Sequence, residues 1–292
     1  MKKMILTLAL MCGCGLGTQA QLLFKIIPCE KAGNDSSKVS ASYIIASNSM
    51  MNPLGIVSQI NGLKNIMTET DQLYLEVNKT AYKNSINEAK KLDNNQKLLS
   101  LLTPAQQAKL NAFLKKYMEV DFKSPYIQKK YGNITPAALL EELKTLLFVA
   151  SHMGEYDPSH TFDEYFEAQA KVNNETIGAL TSPDDYINAK YKSDLKEQTK
   201  KLVTFLENET QELSKLNKSV DAFHAKDVNA AALATGATVD KKTLNSWTDG
   251  MIDAMAKKST LFVIDAANLG GNEGIIQLLH AKEYNIESVD EK

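Results

Sequence analysis

The sequence predicts an α/β fold, with a parallel or mixed sheet built from N- and C-terminal strand–helix–strand units and a large helical insertion between them. Residues 42–77 and residues 261–289 each contain an apolar run, then apolar side chains at helical spacing, then a second apolar run. Residues from about 80 to 172 are instead rich in helix formers. Crossover units of this kind make parallel sheet, whose sites lie beyond the carboxyl ends of the strands.

The first twenty residues have the pattern of a secretory signal peptide rather than of a folded element. Two lysines precede an apolar stretch, and small residues lie before Gln21, which predicts cleavage after Ala20. The apolar stretch is too short to span a bilayer. We therefore expect an exported, periplasmic protein with a single domain over residues 21–292. The alternative is a lipid anchor on Cys14.

The N-terminal part of the predicted sheet contains three short apolar runs. Residues 22–27 (LLFKII) and 42–48 (SYIIASN) are expected to be strands, separated by a polar loop. Residues 56–67 place apolar side chains at helical spacing, and residues 72–77 (QLYLEV) return to a strand. The segment 42–77 is thus the first strand–helix–strand unit.

The helical insertion is marked by three helix starts that the sequence makes explicit. Thr103 and Thr135 each precede a proline, which suits an N-cap followed by proline in the first turn. Thr161 and Glu164 have the spacing of a capping box.

A further strand and more helices are expected after the insertion. Residues 174–180 could form one strand, and residues 183–231 are expected to be helical with a break or two. A final helix would bury one face, formed by Leu244, Trp247, Met251 and Met255. The strand at 261–264, the turn Asp265–Asn268 (DAAN), a glycine-rich loop and the helix IIQLLHAK complete the second unit.

Composition excludes several classes of function. The formal net charge is −2, which does not favour nucleic acid or an anionic membrane as a partner. All 33 residues counted as Lys or Arg are lysines, so the sequence has no arginine guanidinium that could bind a carboxylate or phosphate in a bidentate manner. If the signal peptide is removed, Cys29 is the one remaining cysteine, and it cannot form an internal disulfide.

Glu76 is the acidic residue with the most unusual position. It lies near the end of the apolar run 72–77, and alternation places it on the same face as Tyr74. A carboxylate in such a strand is either paired at a cleft or faces solvent on an edge strand. Both interpretations stay open on the sequence alone.

A second group of polar side chains lies in the segment SHMGEYDPSH. His152 and His160, with Glu155 and Asp157, could ligate zinc, but their spacing matches no regular ligand pattern and suits a polar loop equally well. His224 and His280 each stand alone in predicted helices. The sequence contains no G-x-S-x-G nucleophile motif.

Four segments together resemble the TraB/GumN family, which includes pheromone-shutdown proteins and Tiki-type proteases. They are LLFKI, SYIIASNSM, DQLYLEV and TLFVIDAANLGGNEGIIQLLHAKEYNIESV, and the resemblance covers residues 22–290. It implies a secreted or membrane-associated α/β domain with two G-x-x-H motifs, each after a strand. In the Tiki branch the histidines and a glutamate are the expected ligands or catalysts of a metal-dependent peptidase.

The sequence departs from that pattern at both histidines. The first motif falls on Ala46, Ser47, Asn48 and Ser49, so that Ser49 stands where the resemblance implies histidine. The second motif falls on Asp265, Ala266, Ala267 and Asn268, so that Asn268 replaces the second histidine. Neither serine nor a neutral asparagine replaces imidazole as a base or as a zinc ligand.

Two further family positions also differ. The family's G-L-E-T stretch corresponds to residues 178–181, where Leu180 replaces the glutamate, and its R-N pair becomes Leu244-Asn245. Only Glu76 matches a family acid, and Asn245 matches the asparagine.

These departures lead to three hypotheses of different classes. The first is a catalytically degenerate protein that binds a ligand or peptide through the former active-site cleft, without a cofactor. The second is a divergent metal-dependent peptidase or hydrolase that uses Glu76 and Asp265, with His152 or His160 as weaker candidate ligands of a divalent metal. The third is a purely structural protein with no cleft.

Overall fold

A computed structural model describes residues 21–29 and 41–289 of the chain. The predicted signal peptide, its cleavage site and Cys14 lie outside the described residues, as does the polar loop at 30–40. Within the described ranges, no helix is both long enough and apolar enough to cross a membrane.

In the described part of the chain, six strands form one mixed sheet, as the sequence predicts. Their order in the sheet is β4-β3-β5-β2-β1-β6. The strands are β1 (Leu23–Pro28), β2 (Ser42–Ser47), β3 (Gln72–Leu75), β4 (Thr176–Ala179), β5 (Thr260–Asp265) and β6 (Tyr284–Ser288).

The strands β4, β3, β5 and β2 are mutually parallel and form the centre of the sheet. The C-terminal strand β5 inserts between β2 and β3, so the chain ends interleave. β6 pairs antiparallel with β1 at the far edge, and because β1 is itself antiparallel to β2, β6 runs parallel to β5 with β2 and β1 between them. The positions next to β5 are already occupied by β2 and β3, and β6 pairs instead with the outer edge of β1.

The helices fill the intervals that the sequence predicts. Two short helices follow β2, five helices cover the predicted insertion, and the others follow β4 and β5. Among the described residues they are α1 (Leu54–Val57), α2 (Leu63–Glu69), α3 (Lys83–Ala89), α4 (Pro104–Met118), α5 (Pro125–Tyr131), α6 (Pro136–Ser151), α7 (Phe162–Val172), α8 (Pro183–Lys190), α9 (Leu195–Glu207), α10 (Glu209–His224), α11 (Val228–Thr235), α12 (Lys241–Met255), α13 (Ala266–Leu269) and α14 (Ile275–Ala281).

Local capping explains where the main helices begin. Thr103 and Thr161 each complete a capping box, and the hydroxyls of Thr135 and Ser182 accept from backbone N–H groups at the starts of α6 and α8. Three of these helices have proline in the first turn, where the missing N–H costs nothing. The helix starts predicted at Thr103, Thr135 and Thr161 are confirmed.

Three hydrophobic clusters of the described residues support the fold, and the smallest joins α3, α6 and α8. The main core packs helices against the sheet: α7 contacts β3, β4 and β5, and α12 contacts β5 through its predicted apolar face. A second core lies within α4, α5, α6 and α9, which we call the helical lobe. The lobe includes α9 from beyond the predicted insertion, whereas α7 from within the insertion packs against the sheet.

Candidate functional site

The four parallel strands bring the family-motif positions to one edge of the sheet. β2 ends before Asn48, β3 before Glu76, β4 before Leu180, and β5 at Asp265. Because the strands are parallel, their carboxyl ends lie side by side, which is where α/β sheets place their sites. We call this the site edge.

Glu76 is tied to β5 and to the turn that follows it. Its Oε1 accepts the backbone N–H of Asp265 at 3.0 Å and the side-chain Nδ2 of Asn268 at 2.8 Å. β3 lies between β4 and β5, so the alternative of a solvent-facing residue on an edge strand is wrong. β3 ends at Leu75, one residue before Glu76 and two residues before the predicted end.

Burial and a neighbouring acid change the protonation of Glu76. The pKa of Glu76 is raised from 4.5 to about 7, mainly by desolvation and to a smaller extent by the negative charge of Asp265. The hydrogen bonds that Glu76 accepts from Asn268 and from the Asp265 backbone act in the opposite direction and lower the pKa. Burial also raises the pKa of Asp265. The two carboxyl groups titrate as a pair, and near neutral pH the pair retains a proton for part of the time.

Asp265 begins the one-turn helix α13. Its Oδ1 accepts the backbone N–H of Ala267 at 2.9 Å, which caps the helix N-terminus. A backbone hydrogen bond from Ser49 acts on the same carboxylate and favours its charged form. The segment DAAN is therefore a capped helical turn, and Asp265 joins the ends of β5 and β2.

Asn268, which the resemblance assigns to the second histidine position, has no surface exposed to solvent. Its Nδ2 donates to Glu76 Oε1 and to Thr238 Oγ1, both at 2.8 Å, and its Oδ1 accepts the backbone N–H of Thr238 at 2.8 Å. Both ends of the amide are thus occupied by the protein itself. Asn268 braces Glu76 against the loop between α11 and α12.

The first motif position differs from the second in its surroundings. Ser49 is exposed, and Asn48 beside it accepts the backbone N–H of Met50 at 3.0 Å through its own side chain. The preceding Ala46 and Ser47 are buried in β2, as Ala266 and Ala267 are buried in α13. Ser49 is the motif residue whose side chain remains most open to a ligand.

The other two departures from the family pattern do not form a polar site. Leu180 is partly buried and lies against Gly250 of α12, where its methyl group is 3.6 Å from the position of an added Cβ. Leu244 is buried in the main core. Asn245 is exposed and donates to the carbonyl of Lys241 in its own helix at 2.7 Å. The side chain of Asn245 is therefore used within α12.

Two residues beside β3 and β4 fix the architecture of the edge. Gly178 faces the ring of Tyr74, and a Cβ at this position would lie 2.5 Å from a ring carbon. Trp247 donates from its indole to Thr181 Oγ1 at 2.6 Å, which fixes the segment after β4 to α12. Gly178 thus allows β4 to pack closely against the Tyr74 ring.

The structure adds a lysine that the sequence analysis missed. Lys79 lies three residues after Glu76, and its Nζ is 3.7 Å from Asp163 Oδ2 of α7. Desolvation opposes the charge of Lys79, but Asp163, Tyr186, Glu76 and Glu141 outweigh it and raise the pKa of the ammonium. The sequence alone could not predict this grouping, because α6, α7 and α8 approach Lys79 only in the folded chain.

The candidate histidines form a separate network. His152 contacts Glu155 Oε1 at 3.3 Å and Asn217 Oδ1 at 3.0 Å, and His160 contacts Asp157 at 2.6 Å. His224, expected to stand alone, contacts Glu155 Oε2 at 2.6 Å. In the part of the chain that the structure describes, the hydrogen bonds of these histidines go to these partners and not to Glu76 or Asp265, so the contacts do not support the predicted convergence.

The donor set does not fit a zinc-type metal. Within the described residues, no three His, Cys, Asp or Glu side chains are grouped so that they could hold a metal ion. Glu76 and Asp265 supply two carboxylates, but the oxygen of Asn268 is already bound by Thr238. A tetrahedral site needs at least three protein ligands.

Comparison with known proteins identifies one family. The model of the TraB/PrgY/gumN family matches residues 40–288, which is most of the chain. No curated protein and no solved structure matches the chain. The matched range includes β2, β3, β4 and β5, whose carboxyl ends form the site edge.

Proposed function

The chain belongs to the TraB/PrgY/gumN family, and from this premise we propose that it is a catalytically degenerate member that acts as a binding or regulatory module. The ligand or peptide is bound at the site edge, in the place of the family's active site. The observation that carries this proposal is Asn268. It stands in the second histidine position, is fully buried, and uses both ends of its amide on Glu76 and Thr238.

The chemistry of the remaining groups supports binding over catalysis. A buried amide whose oxygen accepts from Thr238 can neither take up a proton near neutral pH nor offer that oxygen to a metal. The bond from Ser49 to the Asp265 carboxylate is made by its backbone N–H, and His152, His160 and His224 contact other partners, so neither contact activates the Ser49 hydroxyl. The site edge keeps hydrogen-bonding groups suited to a polar ligand, namely Ser49, Lys79 and the second oxygen of Glu76.

The test is a metal and activity measurement on the purified chain from Gln21 onward. We expect a metal content far below one ion per chain by elemental mass spectrometry, and no cleavage of a fluorogenic peptide library with added zinc, manganese or cobalt. Glu76→Gln and Ser49→Ala serve as site variants, with Glu287→Gln on β6 as a matched surface control. Peptide cleavage that Glu76→Gln abolishes and Glu287→Gln retains would overturn the proposal.

One observation favours a second candidate function, hydrolysis that uses Glu76 and Asp265. A carboxyl group with a pKa of about 7, next to a second carboxyl group at the end of parallel strands, has the protonation behaviour of a general acid. This function predicts a rate that falls as the pH rises above about 7, where Glu76 loses its proton, and activity that Glu76→Gln abolishes. A divalent metal at this place would need further ligands from the substrate or from water, because Glu76 and Asp265 supply two carboxylates and no third ligating side chain is grouped with them among the described residues.

We also propose that the protein is exported to the periplasm, since the first twenty residues have the pattern of a signal peptide. Mass spectrometry of the protein from the periplasmic fraction should find Gln21 as the first residue. The alternative, a lipid on Cys14, predicts a lipidated N-terminus that Cys14→Ser abolishes.

A further inference from the structure

Four lysines from four separate elements are grouped beside the site edge. Lys79 follows β3, Lys90 follows α3, Lys144 lies on α6, and Lys190 is the last residue of α8. The smallest hydrophobic cluster packs α3, α6 and α8 together, and α8 follows β4 at the site edge. This packing brings the four side chains to one place, and we call them the lysine cluster.

The carboxylates that face the lysine cluster are fewer than its ammonium groups. Glu141 of α6 is shared by two lysines: Lys90 Nζ lies 3.1 Å from its Oε2, and Lys190 contacts its Oε1. Lys79 Nζ is 3.7 Å from Asp163 Oδ2, which is too far for a hydrogen bond. One carboxylate would be enough to neutralise one lysine, so the cluster carries positive charge beyond what its ion pairs need.

The surplus charges repel one another within a cleft. Desolvation, and to a smaller extent the charge of Lys190, lower the pKa of Lys144, against the opposing charge of Glu212. Desolvation and the charge of Lys79 likewise oppose the pKa of Lys190, which Glu141 holds above its usual value. The side chains of Lys79 and Lys190 are nevertheless 47% and 39% exposed. Groups that protein surrounds and solvent still reaches line a cleft.

The cleft is continuous with the site edge through Lys79. Lys79 interacts electrostatically with Glu76 at the site edge, and also with Glu141 of α6 and Tyr186 of α8. The hydroxyl of Tyr186 accepts from Lys190 Nζ at 3.2 Å. Lys79 therefore lies between the carboxyl pair of the site edge and the rest of the lysine cluster.

We propose that the lysine cluster binds an oxyanion, a carboxylate or a phosphate, carried by the ligand that occupies the site edge, with Lys79 and Lys190 as its direct donors. This inference rests on the proposed binding function. An oxyanion between the ammonium groups removes their mutual repulsion and gives the Lys79 N–H groups an acceptor. The chain has no arginine, so its lysines bind the oxyanion as point charges, which suits either class of group.

The test uses two anionic probes on the purified chain from Gln21 onward. One is inorganic phosphate, and the other is acetyl-tetraalanine with a free C-terminal carboxylate. The same peptide with a C-terminal amide is the uncharged counterpart, and sodium chloride keeps the ionic strength equal in all samples. The thermal midpoint of unfolding reports binding, because a ligand of the folded state raises it.

Lys79→Gln and Lys190→Gln are the site variants, and Lys109→Gln is the matched control. Lys109 is 47% exposed, like Lys79, and its Nζ pairs with Glu207 at 2.7 Å within the helical lobe. Lys79→Gln leaves both ion pairs of Glu141 in place, so it is sufficient for the test if circular dichroism shows that Lys190→Gln does not fold.

We expect at least one anionic probe, at about ten times its dissociation constant, to raise the midpoint of wild type and Lys109→Gln by about 3–5 °C. Lys79→Gln and Lys190→Gln should weaken that binding by about tenfold or more, and Lys79→Arg, which keeps the charge, should retain it. A response to phosphate alone assigns the oxyanion as phosphate, and a response to the free-acid peptide but not to its amide assigns it as carboxylate.

Two outcomes would overturn the lysine site. One is a midpoint that neither probe raises above the value in sodium chloride. The other is a response that Lys79→Gln and Lys109→Gln share equally. Equal binding of the free acid and the amide, weakened by Ser49→Ala, would also overturn it while supporting the proposed function. Mass spectrometry that finds cleaved peptide would instead contradict the proposed function and leave oxyanion binding intact.

Discussion

Replacing Glu76 with glutamine should change how the stability of the protein depends on pH. The amide oxygen of the introduced glutamine can accept the same two hydrogen bonds, from the Asp265 backbone and from Asn268, that Glu76 Oε1 accepts at 3.0 and 2.8 Å. The substitution therefore removes the charge and the titration while it keeps the contacts.

The magnitude follows from the pKa of Glu76. That pKa is about 7 in the folded protein and near 4.5 in the unfolded chain. The folded state holds the proton more tightly, so between pH 4.5 and pH 7 the unfolded state binds fewer protons and stability falls as pH rises. At about 1.4 kcal/mol for each pH unit between the two pKa values, Glu76 removes about 3 kcal/mol of the unfolding free energy once the pH exceeds the folded-state pKa.

The assay is urea unfolding of the wild type and the Glu76→Gln variant at closely spaced pH values on both sides of the two pKa values. We expect equal stabilities near pH 4.5 and a variant that is more stable by about 2–3 kcal/mol above pH 7. The exposed Glu287→Gln variant should follow the wild type at every pH. A stability difference between Glu76→Gln and wild type that stays constant across this range would refute the assignment of a raised pKa to Glu76.

Three further predictions concern the packing of the site edge and one helix start. Asn268→Ala should lower the unfolding free energy by about 2–4 kcal/mol, measured in urea, because it leaves Glu76 and the loop after α11 without their partner in a buried site. Gly178→Ala should cost about 1–3 kcal/mol, since its Cβ would lie 2.5 Å from the Tyr74 ring, and Tyr74→Leu in the same chain should recover part of that loss. Thr103→Ala should cost about 1 kcal/mol with no change in any ligand binding at the site edge, and an unchanged thermal midpoint would contradict the capping box.

The sequence alone predicts the strands and helices, because each of them has a local pattern of apolar and polar residues. The run at 42–48 is apolar and β-branched, and it forms β2 at Ser42–Ser47. The strand predicted at 72–77 is two residues too long at its C-terminal end. The alternation of side chains continues past Leu75, where β3 ends, so it does not mark the end of the strand. The mixed sheet and the helical middle follow from the same periodicities.

Pairing between strands has no such local signal. The position of β5 between β2 and β3, and of β6 beside β1, depends on which edges are free once the other strands have paired. The grouping of Lys79 with Asp163 and Tyr186 depends in the same way on how α7 and α8 pack in the folded chain. His224 and Glu155 are 69 residues apart and meet only because α10 ends beside the turn after α6.

The sequence by itself determined the fold class, the family resemblance and the loss of both histidines, because each depends on residue identity and short-range spacing. Only the tertiary structure decided what the replacements do. Asn268 could have been an open ligand-binding amide or a structural brace, and the choice depended on a carboxylate 192 residues away and on a loop 30 residues away. Such contacts are fixed by long-range packing around the buried ends of parallel strands, where burial also sets the protonation of Glu76 and Asp265.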